Sequence, residues 1–120
     1  MTVVTCSDVK KAYEDLRLAK NTATALAKIE SEDKAAYENA RANGLLSGAI
    51  TGKNETERDA NARQVCAAEL AAWQLSADEA RLSRHQLDMA ALAVEELRLM
   101  VRLDEMEAFA GKALPPSREG

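Results

Sequence analysis

The chain has 120 residues, a net charge of −4, 47 % hydrophobic and only 3 % aromatic residues, 5 Gly and 2 Pro. That length holds one domain, the shortage of aromatics rules out an aromatic globular core, and the mild acidity argues against a general nucleic-acid binder, which would carry a basic stripe. Both prolines, Pro115 and Pro116, fall near the end, and the rest is rich in Ala, Leu, Glu, Lys and Arg, the composition of long helices. Charge is uneven: residues 7–44 hold seven basic and seven acidic side chains and balance, whereas residues 54–110 hold six Arg and twelve acids and sum to −6. The two cysteines, Cys6 and Cys66, form no C-x-x-C pattern, so a reducing, cytoplasmic setting is expected. The opening MTVVTCSDVKK lacks the features of a signal peptide, and there is no apolar run of membrane-spanning length.

The expected fold is all-α: a helical hairpin or antiparallel coiled coil within one domain, residues 1–110, with a flexible tail over 111–120. The first helix is predicted over about 7–43. Ser7 and Asp8 can start it, with Lys10 in the third position, a cap without a full capping box. Ala12, Leu16, Ala19, Ala23 and Leu26 alternate steps of four and three and so share a face. The run Glu30-Ser31-Glu32-Asp33 interrupts the pattern, leaving either one kinked helix or two. Ala36, Tyr37 and Ala40 resume it, and Asn43-Gly44 is the predicted stop. A connection follows over 44–53, where Leu45, Leu46, Ala49 and Ile50 form an apolar cluster suited to plugging the end of a hairpin.

The second helix is predicted from about Asn54 to residue 110, roughly 55 residues and about 80 Å long. Asn54 is a good N-cap, Glu57 stands three residues later, and Glu55, Glu57 and Asp59 suit the positive end of the helix dipole. One ladder runs Cys66, Leu70, Trp73, Ala77, Ala80, Arg84, Leu87, Ala91, Val94, Arg98, Val101, a heptad seam broken by Arg84 and Arg98. A second runs Ala68, Ala72, Leu75, Leu82, Met89, Leu92, Leu99, Leu103, Met106. One partner helix cannot cover both. Self-association into a multi-helix bundle is therefore expected, a homodimer first, with Leu70, Trp73, Leu87, Val94, Val101, Arg84 and Arg98 as candidate seam residues.

Ser47 to Arg58, SGAITGKNETER, comes close to the phosphate-cradling loop G-x-x-x-x-G-K-[ST]. Ser47 stands where the first Gly belongs, Asn54 where Ser or Thr belongs, and no strand precedes it, so Gly52 reads as a hinge and Asn54 as a cap. Lys53 and Arg58 are cations at a helix N-terminus, opposed to its dipole. Either Arg58 pairs with Glu55 or Asp59, or Lys53, Asn54, Glu57 and Arg58 form a recognition tip for an acidic group of a partner. His85 has no second His or nearby Cys, which argues against zinc. No Glu-x-x-His pair is present. Ser and Cys lack a positioned base, so neither an enzyme nor a metal or other cofactor is expected. Trp73 reads as a core anchor or an interface hot spot.

The segment Gly52-Lys53-Asn54-Glu55-Thr56-Glu57-Arg58 resembles that of small bacteriophage and prophage proteins in which a helix, a short G-K-N-x-x-x-R segment and a long charged helix follow one another. The resemblance brings no particular reaction with it. It implies a phage origin, action in the host cytoplasm, and weight on Gly52, Lys53, Asn54 and Arg58 as a unit. The expectation is thus a non-enzymatic protein that binds a host or phage protein and modulates or inhibits a nucleic-acid-processing or defence complex, such as a nuclease or CRISPR complex. The alternative is a structural, self-assembling coiled coil or a recombination accessory. Direct nucleic-acid binding, through Lys10, Lys11, Lys20 and Lys28, ranks lower, and no membrane is expected.

Overall fold

The structure is a computed structural model and describes residues 3–113. It is all-α: α1 spans Cys6–Ser47, α2 Glu55–Val65 and α3 Ala67–Ala113. No strand occurs among the described residues. The chain packs as two compact units, one made of residues 21–85 and the other of residues up to 20 together with those from 86 onward. In each, part of α1 pairs with part of α3, which returns along the chain.

The cap of α1 lies two residues before the expected one. Thr5 and Asp8 form the capping pair: the Thr5 N–H donates to Asp8 Oδ2 at 2.9 Å, and the Asp8 N–H donates to Thr5 Oγ1 at 3.1 Å. This corrects the reading of Ser7 as the cap. The helix then runs unbroken through Glu30–Asp33. Val9, Ala12, Leu16, Ala19, Ala23, Leu26, Glu30, Asp33, Tyr37, Ala40 and Gly44, at alternating steps of three and four, are buried or half-buried, and Arg41 beside them is half-buried as well. Glu30 and Asp33 therefore occupy seam positions and do not interrupt the helix. At the edge of a two-helix contact a carboxylate keeps access to water, which a closed core would deny it.

The predicted stop at Asn43-Gly44 lies one turn too early. Gly44 stays helical, and its lack of a Cβ makes room for Ile50, whose Cδ1 would lie 2.6 Å from a Cβ there. The reversal comes at Gly48, whose φ of +82° is the left-handed conformation that ends helices. Ile50 then folds back, its N–H donating to Gly44 O at 3.0 Å, and becomes buried. It forms a cluster with Tyr37, Ala62 and Cys66, against which Ala40, Leu70 and Trp73 pack. The expected four-residue plug reduces to Ile50, because Leu45, Leu46 and Ala49 are exposed.

The expected single long helix is divided at Cys66, a buried residue that caps α2 with φ −104° and ψ 33°. The backbone ladder is kept across the break, Cys66 N–H to Ala62 O at 2.8 Å and Leu70 N–H to Cys66 O at 2.9 Å. At the far end, Gly111–Ala113 belong to α3 and not to a tail. Residues 114–120 of the expected tail lie outside the described residues.

The seam of α3 also differs from the expected one. Cys66, Trp73, Ala80, Leu87, Val94 and Val101 are covered as expected, but between them Ser83, Ala90 and Leu97 are buried or half-buried, and Arg84, Ala91 and Arg98 are exposed. Choosing the i+3 position over the i+4 position moves both arginines to water, where a guanidinium costs nothing to keep solvated. Ser76 and Ser83 enter the seam without a penalty, since each hydroxyl donates to a carbonyl one turn back, Trp73 O at 3.1 Å and Ala80 O at 2.9 Å.

Candidate functional site

The four tip residues come together, and each has a local structural duty. The Asn54 side chain accepts from the Glu57 N–H at 2.9 Å, which satisfies one of the orphan donors of α2. Glu57 reaches back to the Lys53 N–H at 2.8 Å, one residue earlier than a standard capping box. Arg58 takes the local pairing: it lies 3.6 Å from Glu55 Oε2 and donates to Gly52 O at 3.4 Å. Gly52 is required by the closeness of this turn, because a Cβ there would meet Arg58 N at 2.6 Å and the Glu57 carbonyl carbon at 2.9 Å. Thr51 N–H donates to Asn61 Oδ1 at 2.8 Å, which ties the connection to the second turn of α2.

Those bonds account for the backbone and for Arg58, and they leave other side chains without a partner. The Lys53 ammonium makes no ion pair or hydrogen bond among the described residues, and Leu46, in the last turn of α1, is 87 % exposed. A lysine opposed to a helix dipole and a leucine held in water are both locally unfavourable. They flank a connection held by hydrogen bonds at Ile50, Thr51, Gly52, Lys53 and Asn54.

Behind the tip, Arg41 joins α1 to α2 by pairing with Asp59 and, at 3.5 Å, with Glu55. Tyr37 and Trp73 stack at 5.7 Å between ring centroids, tilted by 33°, and the Lys34 ammonium stands 5.9 Å from the Trp73 ring. Arg41, Tyr37 and Trp73 line an open cavity of about 480 Å³ with Glu38, Asp59 and Arg63. Arg41 Nε and Trp73 Nε1 are buried without a hydrogen-bond partner among the described residues. Both are donors, so an acceptor oxygen, from water or from a ligand, is what completes them. Sequence reasoning singled out Trp73 but missed Arg41, whose partners lie in a different helix and carry no sequence spacing.

Five of the seven residues expected to form an oligomer seam are covered within the chain. Leu70 and Trp73 pack against the Tyr37 cluster, Leu87 is half-buried, and Val94 and Val101 line a groove with Val9, Ala12 and Tyr13. Arg84 and Arg98 are exposed in the single chain. Arg98 lies across Tyr13 instead, its Nε donating to the Tyr13 hydroxyl at 3.1 Å, with the guanidinium 6.0 Å from the ring centroid. The second ladder stays in water: Met89, Leu92, Leu99, Leu103 and Met106 are each more than half exposed. On a helix with 100° per residue their mean direction is about 160° from that of the covered residues 87–104, so the two seams lie on nearly opposite faces and not side by side.

Among the described residues no three His, Cys, Asp or Glu side chains are grouped to hold a metal ion, and no helix is long and apolar enough to cross a membrane. His85 is exposed beside Asp78, Arg81 and Leu82, Cys6 is exposed and Cys66 is buried. Compared with protein-family models, with curated proteins and with solved structures, the chain matches none.

Proposed function

We propose that this is a non-enzymatic helical protein that acts by binding another protein through the end that joins α1 to α2. The observation that carries this reading is the contrast inside the connection. Its backbone is held by Asn54, Glu57, Gly52 and Asn61, yet Leu46 is exposed and the Lys53 ammonium has no partner among the described residues. A rigid loop that displays one apolar and one cationic group loses little entropy on binding and suits an acidic, partly apolar surface. Through the resemblance of Gly52–Arg58, the proposal extends to a phage-encoded protein that acts in the host cytoplasm. There it modulates or inhibits a nucleic-acid-processing or defence complex of the host or the phage.

The test is a comparative capture from bacterial lysate with the wild type and with Leu46→Ser/Lys53→Ala. These two changes spare every hydrogen bond of the turn, so the variant keeps its helix content. A protein retained by the wild type and lost from the variant supports the tip as the binding surface. A protein retained equally by both overturns it and moves binding to the faces of the helices.

A further inference from the structure

The exposed row on α3 between residues 89 and 106 has the pattern of a second coiled-coil seam. Met89, Leu92, Glu96, Leu99, Leu103 and Met106 alternate steps of three and four. All six are exposed, and α1 occupies the opposite face of this part of α3, so no described residue covers the row along its length of about 26 Å at 1.5 Å per residue.

We propose that this row is covered by the same row of a second copy of the chain, running antiparallel. The charges beside the row select that occupant and that direction. In the antiparallel register, Met89 of one copy meets Met106 of the second, Leu92 meets Leu103, and Glu96 meets Leu99. The flanking position then brings Glu95 of each copy against Arg102 of the other, twice by symmetry. Glu95 and Arg102 make no ion pair among the described residues. The other flank brings Met100 against Ala93, an apolar contact that extends the seam; Met100 is 38 % exposed in the single chain. A parallel register would stack Glu96 on Glu96 in the middle of the seam and leave Glu95 facing Met100. Like charges brought face to face in a desolvated layer oppose that arrangement. One flank charged in complement to itself and one apolar flank fit a two-fold axis between Glu96 and Leu99. This inference does not rest on the tip as a binding site, since it uses other residues.

The experiment is sedimentation equilibrium with four forms of the full chain: wild type, Glu95→Arg, Arg102→Glu, and the double exchange Glu95→Arg/Arg102→Glu. All changed side chains are exposed, and circular dichroism checks that helix content is kept. The wild type is expected at twice its 13.0 kDa chain mass. Each single reversal turns two attractions into two repulsions and is expected to weaken the dimer about tenfold, while the double exchange restores it to within about threefold. A wild type that stays at one chain mass at about 100 µM, a working range for weak association, overturns the proposal. So do single reversals without effect or a double exchange that fails to restore the dimer, because both remove the antiparallel register. None of these outcomes bears on capture by the Leu46–Lys53 end, so the two readings fail separately.

Discussion

The two units are built from the same two helices, and they differ in what those helices enclose. The unit of residues 21–85 buries Ala23, Tyr37, Ile50, Ala62, Cys66 and Ala80. In the other unit the one buried hydrophobic among the described residues is Val94. The first has a third element, α2, and a connection that folds Ile50 back between the helices. The second has two helices only, and two cylinders in contact can each hide no more than a stripe. Alanines at positions 12, 19 and 90 let the backbones approach but offer little area to bury. The second unit thus carries a row of Leu and Met on its outside and a thin seam inside.

The strongest way to break this contrast is to remove its cause. Ile50→Ala should cost about 2–5 kcal/mol by leaving a cavity at the Tyr37–Ala62–Cys66 cluster. Val94→Ala removes less apolar surface from a groove that is already open, and roughly 2 kcal/mol or less is expected. Urea titration of both variants, followed by Trp73 fluorescence, measures the difference. Equal losses would mean that the second unit holds as much of the stability as the first. Hydrogen exchange sharpens the same comparison: amides of α1 near Tyr37 should exchange more slowly than those near Ala12, because local opening is easier where few side chains are buried.

A smaller effect is expected from the turn that closes the first unit. Gly52→Ala puts a Cβ within 2.6 Å of the Arg58 backbone nitrogen, and backbone cannot yield as a side chain tip can. About 1–3 kcal/mol is the expected cost, read as a lower urea midpoint. Asn54→Ala removes the cap and should cost about 1 kcal/mol. If Gly52→Ala were neutral, the tight approach of the connection to α2 would not exist in solution.

How much of this was legible in the sequence depended on whether a feature was local. The Asn54–Glu57 cap is carried by two residue types at a fixed spacing, and it was read correctly. The covered face of α1 is legible as far as Leu26 and again at Tyr37 and Ala40, but not at Glu30 and Asp33, because a carboxylate in a seam position looks like an interruption when the depth of the seam is unknown. In α3 the ladders through Arg84 and Arg98 and through Ser83 and Leu97 have the same period. Period alone cannot choose between them, but the cost of desolvating two arginines does. That choice also turned two supposedly adjacent seams into opposite ones. The break at Cys66 has no Gly or Pro to announce it. The pairing of Arg41 with Asp59 joins residues 18 apart in sequence and follows only from the hairpin itself.

The smallest expected effect lies at the start of α1, in the thinner unit. Two hydrogen bonds, from the backbone N–H of Thr5 and from its side chain, hold the Asp8 carboxyl below the ordinary value of 3.8. A group whose folded pKa is depressed contributes stability above its unfolded pKa and loses it as pH falls through the folded value. The first turn of α1 should therefore be intact at neutral pH, begin to loosen below about pH 3.8, and fray once Asp8 is protonated. Asp8 is fully exposed, so the effect is local and leaves the global transition almost unmoved. Amide shifts of Thr5 and Asp8 followed from pH 6 to pH 2 read it directly. A Thr5 amide that titrates with Asp8 establishes the Thr5–Asp8 cap in solution, whereas a flat trace would return the start of the helix to Ser7. In Asp8→Asn the carboxyl is gone, so the Thr5 titration should vanish while the helix beyond Val9 keeps its shifts. That separates a capping bond from any general response of this weakly buried unit to acid.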